Sequence, residues 1–378
     1  MVVGCPDDGD AESSADSAQA TMGTSDGTSG ATASAGDVGS TSGGETGTAG
    51  TAGTGADETG ADDTAGSGST GATACAPPAQ LGVFPPTDGD ARGFAVVGDT
   101  VYLAVASAGL EVVDIADPTT PVSLGTLDFD SGQLAFTVAV SGDHAYVGQR
   151  GSGWKIVDVS DPASMVEVAA DDEDDAQDVA VADGVFYVVN ADGLHTYDVS
   201  DPSAPVELSP TVVLPGAAST LALAGTTAFV ASSGAGLISV DISDPASPME
   251  LSVFETSSNA EFVAVAGERV YVSHADGVDI LDMASPARPG PLGAYVRDRS
   301  HAIAVEGTTL LVLGEDSAST EVPLLAIVDV EDPARVVEVD VSFDDFDQPS
   351  HLVVDGGRVL FTEQDDDALH ILDPCPAE

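Results

Sequence analysis

The chain has 378 residues, of which 64 are acidic and 9 are basic, so its formal net charge is −55. Because Lys and Arg carry the binding of phosphate groups, this charge argues against a protein that binds nucleic acid. No stretch approaches the roughly 18 consecutive apolar residues of a membrane-spanning helix, which argues against an integral membrane protein.

The first five residues, Met1-Val2-Val3-Gly4-Cys5, resemble the end of a bacterial lipobox, the small-residue run before a lipidated cysteine. The resemblance predicts a lipid on Cys5 as the only membrane attachment, and an extracytoplasmic protein at the outer membrane or cell surface. A chance cysteine is the alternative, because the charged and apolar regions of a signal peptide are missing.

Residues 6–74 consist almost wholly of Gly, Ser, Thr, Ala, Asp and Glu, with no Lys, Arg or aromatic residue. Such a segment cannot bury enough apolar surface to offset the entropy lost on ordering it. We therefore predict a disordered acidic linker over residues 6–74, and a folded domain over residues 75–378.

An apolar run that ends in Asp recurs seven times in this second region. The copies are at residues 110–114, 154–158, 194–198, 237–241, 278–282, 325–329 and 369–373. A turn that contains Pro follows each copy, and these prolines are spaced by 40 to 47 residues. The recurrence predicts a fold built from seven similar units.

Each unit alternates apolar and polar residues between Gly, Asp and Pro, which is the pattern of short antiparallel strands. Four strands can be placed in a unit, with the recurrent run as the third. Units of about 40–45 residues with four strands are blades of a β-propeller. The sequence therefore predicts an all-β, seven-bladed β-propeller with four-stranded antiparallel blades.

The recurrent run resembles the repeat of the LVIVD-repeat family, which is named for it, and the resemblance covers about residues 92–374. It implies a secreted or surface propeller of bacteria or archaea and assigns no activity. With Cys5, the resemblance implies a surface lipoprotein, which we expect to be a monomer.

Cys75 and Cys375 lie at the two ends of the folded region, where the first and last strands of a closed ring would meet. An even pair of cysteines in an exported protein usually forms a disulfide, so we predict a Cys75–Cys375 bond. Two free thiols are the alternative.

The Asp that ends each run invites a metal or catalytic interpretation. One Asp per blade before a Pro-containing turn nevertheless fits an Asx-type turn, in which the carboxylate accepts backbone N–H groups. Seven equivalent carboxylates indicate scaffold, so a unique site must come from positions that differ between blades.

Such positions are found where the innermost strands begin, at the mouth of the central channel. Alignment on the first turn of each unit places there Arg92, Phe136, Gln177, Ser219, Glu261, His301 and His351, with Asp178 directly after Gln177. Arg92, Gln177, Asp178, Glu261, His301 and His351 then form a polar ring, which predicts a pocket for a small ligand or a metal. A water-filled channel with an unspecific polar lining is the alternative.

Acidic runs fall in loops that we expect on the same face. Clustered carboxylates suit Ca²⁺, which takes six to eight oxygen ligands. The candidate ligands are Asp171, Asp172, Asp174, Asp344, Asp345, Asp365 and Asp366. None of the runs has EF-hand spacing, and a solvated acidic face is the alternative.

Two functions are therefore compared. The first is a non-catalytic surface propeller that binds a protein, a glycan or a cation through its acidic loop face. The second is a calcium-dependent hydrolase, similar to lactonases or phosphoesterases, in which Glu261, His301 or His351 takes a proton from metal-bound water. Only Asp178 and Glu261 supply carboxylates to the ring, which favours binding over catalysis.

Overall fold

The computed structural model describes residues 79–129, 133–172, 175–297, 299–316, 322–342, 349–363 and 368–373. These residues form β-strands and short 3₁₀ turns, without an α-helix. No helix in this part of the chain could therefore cross a membrane. Cys5, Cys75 and Cys375 lie outside the described residues, so the lipid and the disulfide stay predictions.

The strands follow one another around a ring. The first five are β1 (Ala79–Phe84), β2 (Ala91–Val97), β3 (Thr100–Val105), β4 (Gly109–Asp114) and β5 (Val122–Leu127). The next eight are β6 (Leu134–Ser141), β7 (His144–Arg150), β8 (Trp154–Asp158), β9 (Val166–Asp171), β10 (Asp178–Ala182), β11 (Val185–Asn190), β12 (Gly193–Asp198) and β13 (Val206–Glu207).

The second half continues the same order. Its strands are β14 (Ala217–Ala224), β15 (Thr227–Ser233), β16 (Gly236–Asp241), β17 (Met249–Phe254), β18 (Ala260–Ala266), β19 (Arg269–His274), β20 (Gly277–Asp282) and β21 (Gly290–Val296). The last seven are β22 (Ser300–Glu306), β23 (Thr309–Asp316), β24 (Val322–Asp329), β25 (Val337–Ser342), β26 (Pro349–Asp355), β27 (Arg358–Glu363) and β28 (Leu369–Asp373).

The strands form seven four-stranded antiparallel sheets, which confirms the predicted propeller. Six sheets are made of consecutive strands, from β2–β5 to β22–β25. The seventh has the order β26–β27–β28–β1, so the first strand of the domain completes the last blade. Ala79 pairs with Asp373 in this closure. The ring is thus closed by hydrogen bonds between the two ends of the domain.

The turn after each innermost strand needs a residue in the left-handed backbone region. That residue is a glycine in six blades, with φ of 61° at Gly98 and 57° at Gly356, and Asp183 with φ of 51° in the third. Glycine adopts this conformation without strain, and Asp is among the few other residues that tolerate it.

The apolar core lies between the faces of neighbouring blades. In one cluster Leu110 and Val112 of the first blade pack with Val138 and Val147 of the second. Leu360 of the last blade packs likewise in a cluster with residues of the first blade. Because each blade buries one face against the next, closure removes apolar surface from water all around the ring.

The Asp that ends the repeat is part of the scaffold in the first six blades, as predicted. Asp114 Oδ1 accepts the N–H of Ala116 at 2.8 Å, and Asp158, Asp198, Asp241, Asp282 and Asp329 accept the N–H two residues later in the same way. Hydrogen bonds from the side chains and the backbone N–H groups of Ser160, Ser200 and Ser243 lower the pKa of Asp158, Asp198 and Asp241. The repeat motif therefore encodes a turn.

The same turns dock against the preceding blade. A Cβ atom on Gly125 would lie 1.9 Å from the carbonyl oxygen of Pro162, so only glycine permits this approach. In the fourth blade, Ser239 and Ser252 instead donate hydrogen bonds to the carbonyl oxygen of Pro286 at 2.6 and 2.9 Å. The Pro-containing turn thus joins blades as well as strands.

Candidate functional site at the mouth of the channel

The innermost strands begin at one face of the ring, which we call the mouth face. The loops that connect the fourth strand of one blade to the first of the next, and the second strand to the third, lie on this face. A register shift interrupts six of the seven innermost strands close to their first residue. Arg92, Phe136, Ser219, Glu261 and His301 lie within these β-bulges. Bulges re-aim side chains, so they decide what faces the mouth.

His351 differs from its predicted register by one residue. His351 pairs with Thr362, and the bulge lies between Pro349 and His351. The reason is the turn that follows, in which both Gly356 and Gly357 have positive φ. The turn begins at Gly356, whereas the sequence alignment was made on Gly357. His351 is therefore equivalent to Asp178, one position deeper than His301.

Asp178 connects three consecutive blades. Its Oδ1 accepts hydrogen bonds from Thr137 Oγ1 at 2.7 Å and from the N–H of Val179 at 2.9 Å. Its Oδ2 accepts the N–H of Leu221, in the fourth blade, at 2.8 Å. Burial raises the pKa of Asp178 to about 6, although these three hydrogen bonds act in the opposite direction. Asp178 acts as a connector between blades.

Other polar side chains near the mouth also join neighbouring blades. Thr220 Oγ1 donates to the carbonyl oxygen of Glu261 at 3.1 Å, and Ser273 Oγ donates to that of His301 at 2.9 Å. Thr362 Oγ1 donates to the carbonyl oxygen of Arg92 at 2.6 Å, across the closure of the ring. Part of the polar ring therefore has a structural role.

His351 packs against the first blade. Its ring meets that of Phe94 edge-on, with the centroids 5.0 Å apart. Burial lowers the pKa of His351 to about 4, against an opposing hydrogen bond with the backbone of Phe94. His351 is therefore uncharged at neutral pH and belongs to the contact between the last and first blades, which distinguishes it from the other predicted proton acceptors.

Glu261 and His301 do come together at the mouth. Glu261 Oε2 lies 3.4 Å from His301 Nδ1, and about a third of each side chain is exposed (37% and 36%). They belong to neighbouring blades and occupy the same register position. This pair is the part of the predicted catalytic set that remains accessible from the channel.

Arg92 and Gln177 each pair with a nearby carboxylate. Arg92 Nη2 donates to Asp90 Oδ2 at 2.9 Å. Gln177 Nε2 donates to Asp175 Oδ2 at 2.5 Å, and the other oxygen of Asp175 accepts the N–H of Gly151 at 2.6 Å. The acidic loop before β10 is thus tied to the second and third blades.

The calcium site is only partly represented in the described residues. Asp171 ends β9, and Asp172 Oδ1 accepts a hydrogen bond from Gln133 Nε2 at 3.2 Å. Among the described residues, no group of three or more His, Cys, Asp or Glu side chains is arranged to hold a metal. The other predicted ligands, Asp174, Asp344, Asp345, Asp365 and Asp366, lie outside the described residues.

A second set of ionisable residues lies outside the polar ring that the sequence alignment selected. It occupies the position after the first apolar residue of the third strand: Glu111, Lys155, His195, Asp279 and His370. All except Asp279 are buried. Lys155 pairs with Glu167 at 2.9 Å, and Glu111 accepts hydrogen bonds from Thr87 and Ser123 at 2.6 Å. The sequence shows that this position differs between blades, because it is apolar at Ile238 and Ala326.

One member of this set contributes to an arrangement with the residue types of a catalytic triad. Ser257 Oγ lies 3.3 Å from His274 Nδ1, and His274 Nε2 lies 3.4 Å from Asp279 Oδ2. However, Nδ1 also accepts the N–H of Asp276 at 3.2 Å, and Asn190 caps the equivalent turn of the third blade. The Ser257 hydroxyl donates to Asp276 at 2.6 Å. His274 is therefore a turn cap.

A closed ring of seven antiparallel blades around a central channel defines the molecule as a seven-bladed β-propeller. The family model described as LVIVD repeat matches residues 88–128, 134–170, 174–210 and 215–256. The first four blades therefore carry LVIVD repeats, as the recurrent run predicted. No curated protein matches it in sequence.

Solved propellers resemble the chain in fold. The RRP9 WD40 repeats match with a TM-score of 0.64 and 11% identity, covering 80% of this chain and 100% of that one. The propeller domain of Cps50 (Swd1) from Myceliophteria thermophila matches at 0.61 and 10%, covering 79% and 99%. The WD40 propeller domain of Doa1 matches at 0.60 and 10%, covering 78% and 96%. At these identities the likeness concerns the fold alone.

Proposed function

We propose that this protein is a non-catalytic binding propeller, whose mouth face binds a partner with a positively charged surface, in the first place a protein. The observation that carries the proposal is a set of exposed carboxylates on loops above a rim that hydrogen bonds between blades hold rigid. Asp88, Asp128, Asp192 and Glu255 all lie exposed in loops of the mouth face. They surround a rim that is held in place by contacts between blades.

Rigidity supports this interpretation. Loops on a stiff scaffold present their side chains to a partner at little entropic cost, and clustered charge of one sign accelerates the encounter with a partner of opposite charge. Asp178, Thr220 and Thr362 supply the stiffness at the mouth, because each joins neighbouring blades. Anchoring at Cys5 through the linker over residues 6–74 would place this face at the cell surface.

A pair of charge-matched variants tests the proposal. One converts Asp88, Asp128, Asp192 and Glu255 to amides; the control converts Asp143, Asp183, Glu268 and Glu331, which are exposed on the opposite face. Immobilised full-length chain is offered envelope proteins at low and high salt. We expect the mouth-face variant to lose the salt-sensitive partners and the control to retain them. Equal losses from both variants would contradict a specific face.

The Glu261–His301 pair supports a second candidate function, a hydrolase at the channel mouth. Glu261 would orient the His301 ring, and His301 would accept a proton from water polarised by a bound Ca²⁺. Turnover of a panel of esters and lactones with calcium, abolished by Glu261→Gln, would support this function. Full retention of any turnover by the variant would exclude this pair as the site.

A further inference from the structure

One arginine stands apart at the rim of the channel. Arg150, the last residue of β7, has its guanidinium carbon 3.4 Å from the centroid of the Phe136 ring. Phe136 is the bulge residue of the second innermost strand, between Ala135 and Thr137. A stacked guanidinium keeps the N–H groups along its edge directed outward, where a planar anion can accept two of them.

Arg92 lies next to this stacked pair. A Cβ atom on Gly93 would be 2.6 Å from the carbonyl oxygen of Phe136, so the absence of a side chain brings the first innermost strand against the second. Two of the eight arginines of a chain with a net charge of −55 thus lie at one edge of the channel.

The two arginines differ in their partners. Arg92 is paired with Asp90 at 2.9 Å, whereas Arg150 forms no ion pair with any described residue. Asp175, the carboxylate that acts on Arg150 from a distance, already accepts hydrogen bonds from Gly151 and Gln177. Partial burial lowers the pKa of Arg150. The negative charge of Asp175 raises this pKa, and the positive charge of Arg92 lowers it. Arg150 is exposed, so the edge of its guanidinium, which has no ion-pair partner among the described residues, is open to a bound anion.

We propose that Arg150, stacked on Phe136 and flanked by Arg92, forms an anion subsite at the channel mouth that binds a ligand carboxylate through the guanidinium edge. The inference goes beyond the proposed function, because this positive subsite binds an anionic group, whereas the acidic loops around it bind positive charge. Two sources carry this chemistry: a small dicarboxylate and the carboxyl terminus of a peptide.

Arginine side-chain NMR tests the subsite directly, since eight arginines give few Nε–Hε signals. The full chain is titrated with glutarate while NaCl is reduced to keep ionic strength constant. We expect the chemical shifts of Arg150 and Arg92 to change with glutarate concentration and to saturate at the same concentration. Arg288, exposed at a turn on the opposite face, serves as the internal control and should not move. A common linear drift of all arginines would overturn the proposal.

Variants separate charge from geometry. Arg150→Gln should weaken glutarate binding, followed at Arg92, by about tenfold or more, and Arg288→Gln should leave it unchanged. Arg150→Lys keeps the charge without the planar fork and should bind more weakly than wild type. Equal affinity of Arg150→Gln and wild type would overturn the assignment.

Two further probes identify the anion. Inorganic phosphate that binds as tightly as glutarate would overturn the preference for a carboxylate. N-acetyl-Ala-Ala, which ends in a free carboxyl group, distinguishes the two sources: tighter binding than glutarate supports a peptide terminus, and weaker binding supports a small dicarboxylate. Both outcomes leave the acidic-face proposal unaffected, because that proposal is tested with Arg150 unchanged.

Discussion

Thr137 Oγ1 donates a hydrogen bond of 2.7 Å to Asp178 Oδ1, across the boundary between the second and third blades. Through its other oxygen, Asp178 also accepts the N–H of Leu221 in the fourth blade. One carboxylate at the channel therefore connects three blades, through residues that are 41 and 43 positions away from it in the sequence.

Replacement of this carboxylate should destabilise the propeller. In Asp178→Ala, the N–H of Leu221 and the hydroxyl of Thr137 lose their acceptor, and unsatisfied buried groups cost about 1–3 kcal/mol each. We expect the free energy of unfolding to fall by about 2–4 kcal/mol in urea titrations. Asp192→Ala, in the exposed loop between the second and third strands of the same blade, is the control and should have little effect. Equal stability of the two variants would show that Asp178 is dispensable.

Asp178 should also make stability depend on pH. Burial raises its pKa from 3.8 to about 6, so the native state holds this proton more tightly than the unfolded chain does. Its contribution therefore favours folding below about pH 4 and is lost as the pH rises through about 6, at most about 3 kcal/mol.

The measurement is the difference in unfolding free energy between wild type and Asp178→Asn at constant ionic strength. The variant cannot ionise at this position, so wild type should lose stability relative to it between about pH 4 and pH 7. The difference between the two proteins removes the contribution of the other acidic residues. A difference that stays constant with pH would contradict the raised pKa.

Gly125, where the outer strand of the first blade meets the Pro-containing turn of the second, is a second determinant of stability. In Gly125→Ala the new methyl group would overlap the carbonyl oxygen of Pro162, so the second blade must shift. Such overpacking costs about 1–3 kcal/mol. Gly290→Ala is a matched control, because nothing lies within 4 Å of its Cβ position. Thermal unfolding should separate the variants, and equal melting temperatures would refute this role of the contact.

Closure of the ring leads to a prediction for the cysteines. Ala79 and Asp373 are paired, and Cys75 and Cys375 lie four and two residues beyond them in sequence. A bond between them would close a loop of about 300 residues, which stabilises by roughly 5–6 kcal/mol in the chain-entropy model.

Alkylation with and without reductant, followed by mass spectrometry, measures this bond. We expect Cys75 and Cys375 to be protected until reduction, and reduction to lower the melting temperature. Alkylation of both residues in the unreduced protein would exclude the disulfide. Cys75→Ser and Cys375→Ser should each reproduce the melting temperature of the reduced protein.

The accuracy of the sequence predictions differed between the scaffold and the site. Runs that end in Asp predicted the number of blades, the strand order and the Asx turns, since each depends on a local pattern that is repeated seven times. Glu261 and His301 were correctly brought to one register position. His351 was placed one residue too far out, because two consecutive glycines follow its strand and the pattern does not tell which one begins the turn.

The stacking of Arg150 on Phe136 had no sequence signal. The two residues are neighbours only because β6 and β7 pair in one register, and because a bulge re-aims Phe136. A one-residue change of register reverses the face on which a side chain lies, so pattern alone cannot assign such contacts.

By itself, the sequence determined a seven-bladed ring with an acidic surface, because alternation, turn residues and charge are local or additive properties of the chain. Only the tertiary structure decided the roles of the polar residues at the channel. Asp178 and His351 turn toward neighbouring blades, whereas Glu261, His301 and Arg150 stay accessible at the mouth. The physical reason is that contacts between blades join residues about forty positions apart, and their geometry follows from bulges and packing that no single repeat specifies.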